Sequence, residues 1–136
     1  EKGYRFWGQD IHADYTPLDA GLGFAVRFTK GYFAGRDALS RQKDAGVSRK
    51  LCAITLDDPE QVVLGKEPIL AGDRVLGYVT SAAYGYTIGR GIAYGYLPIS
   101  HAREGTAVTI EFFGRPLAAT VAREPLYDPE GLRIKG

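Results

Sequence analysis

Hydrophobic and polar residues alternate with a period of two along most of the chain from residue 48 onward. The run RKLCAITLDD (residues 49–58) sets Leu51 and Ala53 on one face and Cys52 and Ile54 on the other. Because both faces are apolar, this run predicts a strand that is buried on both sides. Four later runs also predict strands, at residues 73–86, 91–98, 106–114 and 115–122.

Glycine-containing turns separate these predicted strands. The tripeptide AGD (71–73) predicts a hairpin between EPIL (67–70) and the strand that follows, and Phe113-Gly114-Arg115 predicts a tight reversal between the last two strands. An open sheet of five or six such short strands would leave free edges and one unburied face. The sequence therefore predicts a mainly β fold, a small antiparallel β-barrel or sandwich of about six strands, and we adopt the barrel.

The first 47 residues carry helix and loop signals instead. Pro17 can open a short helical turn through residues 18–20, which Gly21 would end. The run GRDALSRQKDAG (35–46) contains strong helix formers with apolar residues at helical spacing, so it predicts a short surface helix. We divide the chain into three parts: an N-terminal segment (1–25), a connecting helical segment (26–47) and a β-domain (48–136).

Composition and charge exclude several classes of protein. Seventeen Lys and Arg are interspersed with sixteen Asp and Glu, for a net charge of +1, so nothing indicates a nucleic-acid partner. The apolar runs are far shorter than the ~20 residues that a membrane span requires, and no signal-peptide pattern opens the chain. The single Cys52 suits a reducing compartment. We expect the bacterial cytoplasm, with the mitochondrial matrix as the alternative.

Few residues offer reactive chemistry. His12 and His101 are the two histidines and Cys52 is the one cysteine, so the sequence predicts no metal site. Cys52 lies within an apolar strand, where a buried and inert thiol is expected rather than a nucleophile. Glycine spacing in YGYTIGRGIAYGY (84–96) is weak evidence for phosphate binding.

Four tyrosines recur at every second residue on either side of the predicted turn in residues 84–96. Aromatic side chains on a β-surface can stack single-stranded bases. However, Arg90 is the one basic residue in this run, so core or ligand-facing packing is the favoured interpretation.

The opening stretch EKGYRFWGQDI suggests a ligand. Glu1 followed by Tyr4, Phe6 and Trp7 offers a carboxylate beside aromatic walls. A carboxylate can accept two parallel hydrogen bonds from an amino-heterocycle, such as the 2-amino group and N3 of a pterin. From the residues alone, a solvated charge at a strand end is the favoured interpretation of Glu1.

Longer stretches of the chain resemble a known family. EKGYRFWGQDI, DYTPLDAGLGFAV and KGYFAGRDAL resemble the segment that joins the folate-binding and C-terminal regions of the glycine-cleavage T-protein (aminomethyltransferase) family. The family patterns are E-x-G-x-x-x-x-G-x-[DE]-[ILM], T-P-x-[ED]-[AG]-x-L and F-x-G-x-x-[AV]-L. The matching residues are Glu1, Gly3, Gly8, Asp10, Ile11, Thr16, Pro17, Asp19, Ala20, Leu22, Phe33, Gly35, Ala38 and Leu39.

Downstream, RVLGYVTSAAYGYTIGRGIAYGYLP resembles the family's G-x-[VI]-T-S-[GA] strand and its return, and REPLYDPEGLRI resembles the terminal segment. The phrases GYRFWGQDI, AGLGFAV and LDDPEQVVLGKEPI look most like the version fused to a flavin domain in dimethylglycine oxidase, dimethylglycine dehydrogenase and sarcosine dehydrogenase. The chain also contains no methionine. We therefore expect a piece of a longer protein, in which residues 1–25 end the folate-binding domain.

This resemblance implies a function for the parent protein. A flavin (FAD) held by an upstream domain would oxidise an N-methyl amine such as dimethylglycine or sarcosine, and the folate domain would pass the one-carbon unit to tetrahydrofolate. The upstream flavin and folate-binding domains of the same chain would be this module's partners. The family's catalytic Asp lies upstream of Glu1, so we expect no catalytic residue here and no turnover by the isolated chain.

Ligand-contacting residues carry over by position. The family's pterin-binding Glu corresponds to Glu1, and its basic ligand contact corresponds to Lys30 or Arg27, between which the resemblance does not decide. The C-terminal Tyr of the glycine-cleavage branch has no clear counterpart, since Tyr127 falls a few residues early. Two alternatives stay open: a fragment of a stand-alone glycine-cleavage aminomethyltransferase, and a non-enzymatic β-barrel binding module with a basic strip around Arg90.

Overall fold

Six antiparallel strands form a closed barrel. The computed structural model describes residues 1–135, so Gly136, the last residue of the predicted β-domain, lies outside the described residues. The strands are β1 (Arg49–Leu56), β2 (Pro68–Ala71), β3 (Arg74–Gly85), β4 (Arg90–Pro98), β5 (Ala107–Phe112) and β6 (Arg115–Ala122). They are hydrogen-bonded in the order β1-β4-β3-β2-β5-β6, and β6 pairs with β1 to close the barrel. The predicted mainly β barrel is confirmed, and the sandwich alternative is wrong.

The barrel interior is filled by aliphatic side chains from all six strands. Leu56, Ile69, Val79 and Ile110 are completely buried there. Burying a side chain of this size stabilises the fold by about 1.5–3 kcal/mol. Because side chains alternate along a strand, the other face of β1 points away from this core.

That other face of β1 belongs to a second cluster outside the barrel. Leu51 and Ala53 of β1 pack there with Tyr94 and Tyr96 of β4, under Tyr15 of the N-terminal segment. Both faces of β1 are therefore buried, as its two-sided apolar pattern predicts.

Two positions show why the strands turn and approach as they do. Phe113 and Gly114 link β5 to β6 with φ values of 49° and 75°. Two consecutive positive φ values indicate a type I′ turn, which matches the right-handed twist of the strands.

At Gly95 a Cβ atom would lie 2.5 Å from Ile69 Cδ1 and 2.8 Å from the Tyr78 carbonyl oxygen. A side chain at position 95 would therefore push β3 away from β4.

The helical elements are short. The predicted surface helix is present as α1 (Arg36–Ala45), with Gly35 and Gly46 at its ends. Residues 17–21 form a single turn, in which the Asp19 N–H donates to Thr16 Oγ1 and the Thr16 N–H to Asp19 Oδ2. A last helix, α2 (Leu132–Lys135), ends the described chain. In residues 1–135, no helix has the length and apolar character needed to cross a membrane.

The N-terminal segment is fixed to the outside of the barrel. The rings of Tyr15 and Tyr96 are stacked, with centroids 3.6 Å apart, and the Arg49 guanidinium lies 4.5 Å from the centroid of Tyr15. The Leu51 N–H donates to the Asp19 carbonyl at 2.9 Å. The pairing of β1 with β6 ends at Ala53. The Asp19 carbonyl therefore accepts the hydrogen bond of a β1 N–H group that β6 does not reach.

Candidate functional site

A groove of about 380 Å³ lies between the N-terminal segment and the faces of β3 and β4. This size falls within the range of small-molecule sites. We call it the Glu1 groove; its lining residues are Glu1, Tyr4, Phe6, Gln9, Asp10, Ser81, Ala82, Ala83, Ile92 and Tyr94. The groove combines a carboxylate, aromatic rings and an amide, so it can hold a flat ligand that carries hydrogen-bond donors.

The turn between β3 and β4 holds the Glu1 carboxylate. Glu1 Oε1 accepts hydrogen bonds from the backbone N–H groups of Thr87 at 2.6 Å and Ile88 at 3.0 Å. Desolvation acts to raise the pKa of Glu1, but these hydrogen bonds outweigh it and lower the pKa below its ordinary value. Glu1 is therefore ionised at neutral pH. At Gly85 a Cβ atom would lie 3.1 Å from this Oε1 and 2.7 Å from Ile92 Cδ1.

Asp10 supports the aromatic wall of the groove. Its carboxylate is buried and accepts hydrogen bonds from Thr80 Oγ1 at 2.5 Å, from Ser81 Oγ at 2.8 Å and from the Phe6 N–H at 2.8 Å. The Tyr96 hydroxyl donates to the Asp10 carbonyl at 2.8 Å. These contacts fix the loop that carries Phe6 against β3 and β4.

A second polar group lies behind the groove. The Arg5 guanidinium binds both oxygens of Glu124, at 2.6 and 2.8 Å, and the Tyr94 hydroxyl donates to Glu124 Oε1 at 2.6 Å. Burial, together with this hydrogen bond to a carboxylate, raises the pKa of Tyr94. Tyr94 is therefore a neutral hydroxyl that faces the groove on one side and the C-terminal segment on the other.

The chemistry of the groove fits the pterin predicted for Glu1, but the ligand would bind one carboxylate oxygen rather than both. A carboxylate oxygen has two lone pairs, and both lone pairs of Oε1 are used by Thr87 and Ile88. Oε2 accepts neither of these backbone N–H groups, although the Thr87 side chain also stabilises the carboxylate, so Oε2 is the atom that can accept a donor pair from a ligand. Tyr4 and Phe6, which are 77% and 60% exposed, provide the rings on which a flat heterocycle can stack.

The two basic residues predicted as ligand contacts lie elsewhere. Arg27 and Lys30 line a separate groove of about 330 Å³ together with Phe33 and Leu39. Lys30 Nζ lies 5.7 Å from the centroid of Phe33. The structure brings Arg27 and Lys30 together, but their groove and the Glu1 groove share no lining residue. Their role as ligand contacts stays a prediction.

The remaining candidates take structural positions. Cys52 is 5% exposed, and burial raises its pKa to about 11. The ring of His12 packs against Tyr15. His101 Nδ1 and Ser100 Oγ are hydrogen-bonded at 3.0 Å. In the described part of the chain, no three His, Cys, Asp or Glu side chains are grouped to hold a metal ion.

The alternating tyrosines separate into two pairs. Tyr94 and Tyr96 are buried under the N-terminal segment, whereas Tyr84 and Tyr86 lie near the β3–β4 turn with ring centroids 5.3 Å apart. They do not form one continuous surface for stacking bases.

Sequence reasoning missed the donors that hold Glu1 and Asp10. Asp10 and the Thr80-Ser81 pair each belong to a stretch with family resemblance, but 70 residues separate Asp10 from Thr80. Likewise, Thr87 is 86 residues from Glu1 and acts through its backbone N–H. No side-chain motif indicates such a contact.

Comparison with known proteins gives consistent relatives. A family model for the glycine cleavage T-protein C-terminal barrel domain matches residues 49–128, more than half of the chain. Aminomethyltransferase of Symbiobacterium thermophilum is 41% identical over 122 residues, which cover 89% of this chain and 32% of that protein.

Two mitochondrial dehydrogenases are also among the similar proteins. Mitochondrial dimethylglycine dehydrogenase of Rattus norvegicus is 33% identical over 136 residues, covering 99% of this chain and 16% of that protein. Mitochondrial sarcosine dehydrogenase of Mus musculus is 37% identical over 145 residues, covering 100% of this chain and 16% of that protein.

A solved structure has the same fold. The glycine cleavage system aminomethyltransferase T from Bartonella henselae superposes with a TM-score of 0.87 at 28% identity, covering 94% of this chain and 36% of that one. The chain thus spans about a third of the aminomethyltransferases and about a sixth of the two dehydrogenases.

Proposed function

The chain belongs to the glycine cleavage T-protein family through its C-terminal barrel domain, and from that membership we propose its function. It is the C-terminal folate-domain module of an FAD-dependent oxidoreductase that acts on an N-methyl amine such as dimethylglycine or sarcosine. In this parent, FAD supplies the oxidation and tetrahydrofolate accepts the one-carbon unit. The flavin belongs to an upstream domain.

The observation that carries this proposal is the held carboxylate of Glu1 in an aromatic groove. Two backbone N–H groups fix Oε1, which leaves Oε2 to accept hydrogen bonds from the pterin of tetrahydrofolate. Tyr4 and Phe6 line the same groove and would stack on the ring. The role of this chain is therefore to bind and orient the pterin, and to exclude water from that side of the site.

The share of this chain that each relative matches favours a parent in which the module is fused to a flavin domain. The match to the dehydrogenases runs along 99% and 100% of this chain, whereas the match to the Symbiobacterium aminomethyltransferase covers 89%. The second candidate is a stand-alone glycine-cleavage aminomethyltransferase, and the higher identity of 41% favours it. The reading frame upstream of the codon for Glu1 discriminates between them, because the fused form requires a flavin domain there.

The surface of the N-terminal part supports partners within the same polypeptide. Trp7, Phe24 and Tyr32 are between 76% and 86% exposed. Exposed aromatic side chains in such number are typical of an interface. We assign these residues to the contact with the upstream folate-binding and flavin domains, with residues 1–25 as the end of the folate-binding domain and 26–47 as the connection.

A non-enzymatic binding module receives no support from the surface. That interpretation needs a stacking strip of tyrosines beside Arg90, and two of the four tyrosines are buried.

For the compartment, we keep the bacterial cytoplasm as our proposal. The mitochondrial matrix is the alternative, which the names of the rat and mouse relatives favour.

Calorimetric titration of the chain with a tetrahydrofolate analogue tests the proposal, first with the native sequence and then with Glu1→Gln. A lost charge-assisted hydrogen bond contributes about 1.5–3 kcal/mol, so we expect affinity to fall about 10- to 100-fold. Glu60→Gln, an exposed change on another loop, is the matched control and leaves affinity unchanged.

Equal binding by Glu1→Gln and the native chain would contradict the assignment of Glu1. No binding at millimolar ligand would reduce this chain to a structural cap, with the folate site assembled only in the parent. The isolated chain is expected to show no amine oxidation. Detectable turnover by it would overturn the assignment of catalysis to the upstream domains.

A further inference from the structure

The C-terminal segment runs alongside the first five residues and contacts them at three points. We call residues 124–133 the C-terminal strap. The Tyr127 N–H donates to the Glu1 carbonyl at 3.1 Å, Lys2 Nζ lies 2.6 Å from Asp128 Oδ2, and Glu124 binds Arg5 through both oxygens. The strap therefore holds residues 1–5 through one backbone contact, at Glu1, and two side-chain contacts, at Lys2 and Arg5.

Asp128 joins the strap to Lys2 and organises the strap itself. Asp128 Oδ1 accepts from the Leu132 N–H at 2.8 Å, and Oδ2 accepts from the Arg133 N–H at 3.2 Å and from Lys2 Nζ. Its side chain is only 7% exposed. The Lys2 ammonium, opposed by partial desolvation, lowers the pKa of Asp128, so the ion pair is complete at neutral pH.

Glu1 is thus held from two directions. Its carboxylate is bound to the β3–β4 turn through Thr87 and Ile88, and its carbonyl to the strap through Tyr127. Lys2, the next residue, is anchored by Asp128. The ring of Tyr127 also lies 4.9 Å from Lys2 Nζ, which adds a cation–π contact to the same anchor.

We propose that Asp128 is a positioning residue for the Glu1 carboxylate, acting through Lys2. Loss of the Lys2–Asp128 ion pair leaves the backbone of residue 1 less restrained. The Glu1 carboxylate is then hydrogen-bonded to the β3–β4 turn for a smaller fraction of the time. The consequence for a ligand rests on the proposed function, since it requires that Glu1 binds the pterin. The consequence for the Thr87 and Ile88 hydrogen bonds does not require it.

Amide hydrogen exchange at Thr87 and Ile88, followed by NMR, tests the positioning directly. Both amides donate to Glu1, so their protection reports how often that carboxylate is in place. Asp128→Asn keeps an oxygen at Oδ1 for the Leu132 N–H but removes the charge that holds Lys2. We expect exchange at both amides to be about two- to fivefold faster, the range set by one ion pair near the surface.

Lys2 offers a second pair of variants that leaves the Asp128 contacts to Leu132 and Arg133 untouched. Lys2→Gln should accelerate exchange as Asp128→Asn does, whereas Lys2→Arg, which keeps the charge, should restore protection. The double variant Lys2→Gln/Asp128→Asn should be no worse than either single change. Glu130→Gln changes the charge of the same strap by the same amount and should leave both amides as protected as in the native chain.

The ligand arm repeats the calorimetric titration on these variants. Weaker binding of the tetrahydrofolate analogue by Asp128→Asn and Lys2→Gln, with native affinity in Lys2→Arg, supports the proposal. If the native chain binds no folate, this chain is a structural cap whose folate site is assembled only in the parent, and faster exchange at Thr87 and Ile88 still supports the positioning. Exchange at Thr87 and Ile88 that matches Glu130→Gln in every variant would overturn it, whatever the ligand does.

Discussion

At the scale of single residues, Asp10 is the polar side chain on which the candidate site depends most. It is 1% exposed, and every group that contacts its carboxylate is a donor: Thr80, Ser81 and the backbone of Phe6. Asparagine has the same shape but carries no charge. The Thr80 and Ser81 hydroxyls could turn to accept from its NH₂ group, but the hydrogen bonds would no longer be made to a charged acceptor. A hydrogen bond to a charged group contributes about 1.5–3 kcal/mol, more than a neutral one.

We therefore predict that Asp10→Asn lowers the free energy of unfolding by about 3 kcal/mol, measured by urea denaturation. Asp44→Asn, on the exposed side of α1, is the matched control and should change stability by less than about 0.5 kcal/mol. If the two variants unfold at the same urea concentration, the Asp10 hydrogen bonds do not stabilise the fold as the structure indicates.

Cys52 gives a prediction that depends on pH. Burial in the barrel wall raises its pKa to about 11, from 9.0 for a free thiol. A group whose pKa is raised on folding stabilises the folded state below the unfolded pKa, and that stabilisation is lost as pH rises through the folded value. The unfolding free energy of the native chain should therefore fall between pH 9 and pH 11, and fall less in Cys52→Ala. Parallel curves for the two chains would show that the thiol stays accessible.

At the scale of secondary-structure elements, the strands were predictable from the sequence and their pairing was not. The predicted strands at 73–86, 91–98 and 115–122 correspond to β3, β4 and β6, because alternating side chains and turn residues are local signals. The order β1-β4-β3-β2-β5-β6 depends on contacts between distant segments. Local periodicity cannot encode these contacts.

The same limit applies to the elements of the candidate site. Glu1 and its aromatic neighbours could be predicted as a ligand-binding stretch because they lie within seven residues. The turn that holds its carboxylate and the strap that anchors Lys2 could not, since they are 86 and 126 residues away. The short helix α2 was also missed, because four residues carry too little helical pattern to recognise.

At the scale of the whole molecule, the aromatic surface of the N-terminal part should be covered in the parent protein. Trp7 is the single tryptophan of this chain and is 76% exposed. Leaving Trp7, Phe24 and Tyr32 all in water forgoes much of the free energy that aromatic side chains contribute on burial.

We predict that Trp7 fluorescence in the isolated chain is strongly quenched by acrylamide, and that its quenching falls several-fold in the parent protein. The signal of Trp7 is taken as the difference between the parent and its Trp7→Phe variant, which removes the contribution of any tryptophan elsewhere in the parent. Tyr86→Phe, at a residue that is 88% exposed but lies on the β3–β4 turn, is the control for a general effect of aromatic substitution. A Trp7 signal that is quenched equally in both chains would place the interface on another face of the barrel.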